Sequence, residues 1–215
     1  MEPDLRNLVI SLPALMMAVV FHEYAHGWMA YRMGDATAKE EGRLTINPLP
    51  HIDPFGTIIL PGLLMLMGIP ILFGWAKPVP INPLRFRNLR LGTFLVSIAG
   101  ISMNFLLAII FSILYNILDK KLYDVLPLSI TEPLLIFSAK VVLVNLVLAV
   151  FNALPIPPLD GSRVLMSLFS VRYWDLFYRF EVYGFWIIMV LLMFGIIQRI
   201  IVPPIFFLYN LLLGL

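Results

Sequence analysis

Apolar runs long enough to cross a bilayer recur along this chain, and nothing constrains its fold more. Leu8 to Tyr31, Leu91 to Leu118, Pro133 to Leu154 and Gly184 to Val202 each approach or exceed the roughly 20 residues a spanning helix needs. In lipid every backbone polar group must be satisfied internally, so helices are the expected elements. The fold class read from the chain is an all-α polytopic membrane protein with about five to six hydrophobic segments, one of them re-entrant, and a small membrane-associated β element. Composition agrees: 60% hydrophobic and 13% charged residues, with a mean hydropathy of +0.93, lie beyond a soluble domain. A net charge of +2 gives no reason to expect a nucleic-acid partner, and the basic residues cluster in loops between apolar segments.

Against that background His22-Glu23-Tyr24-Ala25-His26 stands out, because ionisable side chains inside an apolar run are costly unless they have a task. Positions i and i+4 share a helix face, so the two imidazoles can converge on one cation with Glu23 beside them. This is the arrangement used by zinc metalloproteases, in which the glutamate takes a proton from water. Only three histidines occur in 215 residues, and two fall at this spacing, which argues against chance. With no cysteine in the chain, a metal must be held by His and carboxylate, a set that suits Zn2+.

Residues 1–215 read as a single membrane domain. Met1 to Asn7 is too short and too acidic for the basic region of a signal peptide, so the first apolar run is expected to stay as a helix over 8–31, leaving at Gly34-Asp35. Gly42 to Pro48 alternates polar and apolar residues and predicts a short strand over 42–48, closed by Pro48. The run from Phe55 to Trp75 is broken at Pro61-Gly62 and at Gly68-Ile69-Pro70, which suits a re-entrant hairpin or a span over 55–75. Helices follow over 91–118, 133–154 and 184–202, and Pro203-Pro204 is expected to break the chain before an apolar tail over 203–215. The longest polar stretch, Pro155 to Tyr183, has roughly 30 residues and falls below ordinary domain size.

A third ligand must reach the depth of His22 and His26, and Asp160 in Pro157-Pro158-Leu159-Asp160-Gly161 is the candidate. It can do so if 55–75 is re-entrant, because the ends of the first helix and of 133–154 then meet on one side. That side would carry Arg32, Lys39, Arg43, Lys77, Arg85, Arg87, Arg90, Arg163, Arg172 and Arg179; Arg6, Lys120, Lys121 and Arg199 would lie opposite. The positive-inside rule then puts the metal end toward the cytoplasm. Lys140 falls within a helix and has no evident partner in the sequence.

With both motifs in place, the chain resembles the site-2 proteases, intramembrane zinc metalloproteases that pair a His-Glu-x-x-His helix with a distant Asn-x-x-Pro-x-x-Pro-Leu-Asp-Gly type segment. Here the second element runs Asn152-Ala153-Leu154-Pro155-Ile156-Pro157-Pro158-Leu159-Asp160-Gly161. The resemblance implies His22, His26 and Asp160 as zinc ligands, Glu23 as the base, and Asn152 as a catalytic amide that holds substrate backbone or the developing oxyanion. Gly42 to Pro48 with His51-Ile52-Asp53-Pro54, and Phe73-Gly74-Trp75-Ala76-Lys77-Pro78-Val79-Pro80, are similar to the compact branch that lacks an attached regulatory domain. One departure is Ala99-Gly100-Ile101-Ser102-Met103-Asn104, where the family often has Pro in place of Ile101.

Each of these residues has a plainer reading: Asp160 as a helix N-cap, Asn152 as a turn residue, Asn104 as a helix–helix hydrogen bonder, Gly100 as a close-packing site. His51 could ligate metal, gate substrate or anchor the hairpin. Leu44 and Ile46, on the expected strand, would offer an edge to an unwound substrate, with His51 and Asn104 as further substrate-binding or gating residues. The expected partners are a transmembrane protein or peptide substrate and the lipid bilayer, in a bacterial or archaeal cell membrane; the sequence leaves the oligomeric state open. A non-catalytic zinc-binding scaffold or carrier is the alternative, and an ion transporter with broken helices is a third reading. Glu23 argues against the carrier, which needs no base, and the chain has no inverted repeat to support the transporter.

Overall fold

The computed structural model describes the backbone of residues 5–59 and 76–215, and all seven α-helices named below lie within them. α1 runs Leu5–Met33 and ends where Gly34 takes φ +114, next to the short α2, Thr37–Glu40. The long α3, Leu89–Ile117, starts under an Asn88 cap whose side chain accepts the Leu91 N–H, and continues as a π-helical turn over Leu118–Leu122. Next come α4, Leu128–Asn152; α5, Asp160–Leu168; α6, Trp174–Met193; and α7, Ile196–Leu213.

α3 lies at the centre, packed on α1, α4 and α5, while α4 also contacts α1 and α7. The apolar core at one end joins Ala108 of α3, Val142 and Leu146 of α4, and Ile205 and Leu213 of α7. Large apolar side chains such as Ile113, Phe180, Trp186, Phe206 and Phe207 face outward. The buried set includes Thr93, Ser97, Asn104, Thr131, Ser138 and Asn145. That inside-out distribution is what lipid favours: apolar surface is at home outside, and polar groups find partners between helices. Among the described residues, helical stretches at 89–122, 128–152, 171–193 and 196–213 are long and apolar enough to cross a membrane, which does not support the expected count of five to six. α1, 29 residues long, carries His22, Glu23 and His26 and is not among them.

Four further expectations are corrected. No strand occurs among the described residues, and 42–48 is turn and loop. Its ladder groups are taken locally: Arg43 and Leu44 N–H donate to the Ala38 carbonyl, Thr45 Oγ1 accepts from Asn47 N–H, and Asn47 Oδ1 accepts from Leu49 N–H. Leu44 and Ile46 therefore offer no strand edge. The helix expected over 184–202 is divided at Gly195, whose φ of +68 is left-handed and cheap only for glycine. Pro203 and Pro204, expected to break the chain, lie inside α7, a tolerance characteristic of apolar, packed helices. α4 also starts at Leu128, with Pro133 inside it. The hairpin expected over 55–75 falls, from residue 60 on, outside the described residues; before that point Pro54–Ile59 forms a π-helical turn.

Candidate metal centre

α1 supplies the first two donors by helix periodicity alone. The His22 and His26 rings meet edge to face, centroids 4.5 Å apart, with their Nε2 atoms 2.9 Å from each other. Each ring is held by its other nitrogen: His26 Nδ1 lies 2.7 Å from the Val96 carbonyl oxygen and His22 Nδ1 lies 2.6 Å from Asn104 Oδ1. Both acceptors sit on α3, which approaches closely because Gly100 faces the rings; a Cβ there would come within 2.4 Å of His26 Nε2.

Asp160 arrives from the far end of the chain. α4 ends at Asn152, a turn containing the cis Pro157–Pro158 peptide reverses the chain, and Asp160 opens α5. Leu159 is the N-cap and Asp160 the first helical residue, and Asp160 Oδ2 stands 3.2 Å from both His22 Nε2 and His26 Nε2.

Zinc passes a test of fit here. With both Nδ1 atoms donating to oxygens, the two Nε2 atoms carry lone pairs, and they point at each other and at a carboxylate oxygen that has no hydrogen-bond partner. Three such acceptors together repel unless a cation lies among them. Tetrahedral Zn2+ with ligand bonds of about 2.0–2.1 Å sets its donors about 3.3 Å apart, close to the spacings here. His22, His26 and Asp160 would hold it, and they form a group able to bind a metal.

A cavity of about 240 Å³ opens on these atoms, lined also by Glu23, Val79, Asn152 and Arg163. Glu23 Oε2 accepts the Val79 N–H at 2.8 Å. Val79 belongs to a strap without regular secondary structure, residues 76–82, that meets α1 at Glu23 and Gly27. Lys77 N–H donates to the His51 carbonyl, the buried Arg43 gives Nη2 to the carbonyls of Lys77 and Pro78, and Asn82 N–H donates to Asp35 Oδ2. Asn152 reaches the cavity wall with its Nδ2 donating to the Leu148 carbonyl.

The sequence therefore named His22, Glu23, His26, Asp160 and Asn152, and the structure brings all five to one cavity. His51 lies outside both the metal group and the cavity lining: it is buried, its Nε2 is 2.9 Å from the Thr45 carbonyl oxygen, and its own carbonyl accepts the Lys77 N–H. Asn104, expected at the substrate, is fully buried behind His22 instead. Reading the sequence missed Val79, Arg43 and Asn145, the last paired with Asn104. The signal available for Asn145 was an amide in an apolar helix.

Comparison with known proteins points the same way. A model of Peptidase family M50 matches residues 121–195. A candidate zinc metalloprotease of Bacillus subtilis, YwhC, is 42% identical over 184 residues, covering 86% of this chain and 78% of its own. Rip2 of Mycolicibacterium smegmatis, also named as a candidate zinc metalloprotease, is 26% identical over 191 residues, 89% of this chain and 69% of that protein. The Mycobacterium tuberculosis protein of the same name is 31% identical over 157 residues, 73% and 56% of the two chains. No solved structure gives a significant match.

Proposed function

The chain belongs to peptidase family M50, the site-2-type zinc metalloproteases of membranes, and on that premise we propose that it hydrolyses a peptide bond in or near a transmembrane segment of a membrane-protein substrate. The observation that carries this reading is the presence of Glu23 in one cavity with the three converging donor atoms of His22, His26 and Asp160. Zinc, when bound there, supplies a Lewis acid for the scissile carbonyl and makes water a better acid. Glu23 then takes the proton of the attacking water and passes it to the leaving amine. Its Oε2 is occupied by the Val79 N–H, so the other oxygen is the one available to water. Asn152 uses one amide hydrogen on the Leu148 carbonyl and has a second for the substrate carbonyl as charge develops on it.

A helix with side chains is about 10 Å across and does not fit a cavity of about 240 Å³. The substrate must unwind locally, so segments weakened by Gly or Pro are preferred. The metal lies roughly 10 Å from the C-terminal end of α1, within reach of water from the end we assign to the cytoplasm.

A panel of single-span substrates, with and without such residues, tests the reading in lipid vesicles. Glu23→Gln should keep one zinc per chain and lose cleavage by at least about 100-fold. A wild-type chain that holds zinc and cuts none of the panel supports the scaffold or carrier instead.

A further inference from the structure

We propose that Asn145 of α4, which no motif marks, is a positioning residue for the metal centre: through Asn104 it fixes which nitrogen His22 offers to the cation. The inference rests on the zinc site proposed above and concerns the chain's own groups behind it.

Start from the two acceptors whose nature is beyond choice. The Val141 carbonyl accepts from Asn145 Nδ2 at 2.9 Å, which turns Asn145 Oδ1 toward α3. The Ala18 carbonyl accepts from Asn104 Nδ2 at 3.1 Å, and the same nitrogen gives its second hydrogen to Asn145 Oδ1 at 2.8 Å. Both hydrogens of Asn104 are now used, and its Oδ1 is left facing His22 Nδ1 at 2.6 Å. An amide oxygen can only accept, so His22 Nδ1 carries the proton and Nε2 keeps its lone pair for metal. Both amides are fully buried, so no water replaces a lost partner.

His26 shows why this matters for one ligand only. Its Nδ1 donates to the Val96 backbone carbonyl, which cannot rotate. His22 relies on a side-chain amide, and an Asn104 that has lost Asn145 is held by the Ala18 carbonyl alone and turns over more readily. Its NH2 group would then face Nδ1, move the ring proton to Nε2 and close that nitrogen to metal. Asn145 prevents the turn by supplying the second acceptor.

The test uses the purified full chain in detergent and zinc alone, with affinity read by chelator competition and helix content by circular dichroism. Asn145→Leu should bind zinc about 10- to 100-fold more weakly. Asn145→Asp, kept protonated by its burial, retains an oxygen facing Asn104 and an O–H for the Val141 carbonyl, and should stay close to wild type. Equal affinity in wild type and Asn145→Leu overturns the proposal, as does Asn145→Asp binding as weakly as Asn145→Leu. If Asn145→Leu loses its helix content, the wild type still decides by nitrogen NMR of its three histidines. The zinc-loaded chain should show His22 bound through Nε2 with a slowly exchanging Nδ1 proton, and coordination through Nδ1 sinks the relay. A wild type that takes up no zinc at all defeats the zinc-site reading itself, a result distinct from each of these.

Discussion

Gly100 is a residue whose missing side chain is part of the metal site. Replacing glycine by alanine inside a helix ordinarily gains about 1 kcal/mol. Here the added Cβ would press on His26 Nε2 and His22 Cε1 at 2.4 and 2.6 Å, the very side on which the metal donors lie. Gly100→Ala should therefore keep its helix content and bind zinc at least about tenfold more weakly, the size of effect seen when a ligand's orientation is disturbed. Asp160→Ala removes a donor outright and should lose zinc in the same titration; retention would mean that the carboxylate is not a ligand. At this scale the sequence was most legible where chemistry repeats along the chain. His22 and His26 announce themselves by spacing, and Asp160 by the need for a third donor at the same depth. The Val96 carbonyl has no sequence signature, because any residue would supply it. Asn104 was visible, but its role depends on which helix it meets.

Among the elements, the strap over 76–82 is the one whose function sequence patterning concealed. It carries no periodicity, and Pro78 and Pro80 deny it two backbone donors, yet the Val79 N–H reaches Glu23. Arg43 holds it by two bonds to backbone carbonyls, and its Nε is buried without a partner. Charge-assisted bonds of this kind contribute about 1.5–3 kcal/mol each. Arg43→Ala should free the strap: limited proteolysis should nick 76–82, and cleavage of substrate should fall roughly tenfold or more while zinc stays bound. An intact strap with full activity would show that Val79 is held without Arg43. The same region explains the misread strand. Gly42 to Pro48 has the alternation of a strand, but alternation reports only side-chain direction, and short side-chain bonds from Thr45 and Asn47 had already taken the backbone groups a ladder requires. The division at Gly195 was hidden for the opposite reason: hydropathy continues through it, and the expectation placed the break at Pro203-Pro204, which α7 absorbs.

For the whole molecule the informative quantity is which end carries the charge. Asp160 meets His22 and His26, so the C-terminal ends of α1 and α4 lie together, as the ligand argument required. Ile197, early in α7, shares a buried cluster with Leu159, so α7 begins near the metal end. This sharpens the asymmetry read from the sequence: Lys120 and Lys121 follow α3 at its far end, where Asn116 donates to the Leu212 carbonyl of α7, and the loops near the metal hold most of the arginines. Positive loops tend to stay in the cytoplasm, and this asymmetry is the basis of the proposed inward orientation of the metal end. The native chain has no cysteine, so single introduced thiols report the orientation without background. Leu84, highly exposed in the loop docked on the end of α1, and Val125, exposed beyond the far end of α3, lie at opposite ends. From Gly100 to Ile117 alone α3 rises about 26 Å, most of a bilayer core. In intact cells a membrane-impermeant maleimide should label Val125→Cys and spare Leu84→Cys until the membrane is opened. The reverse pattern would turn the site outward, and substrates would then have to be sought among segments exposed on that side.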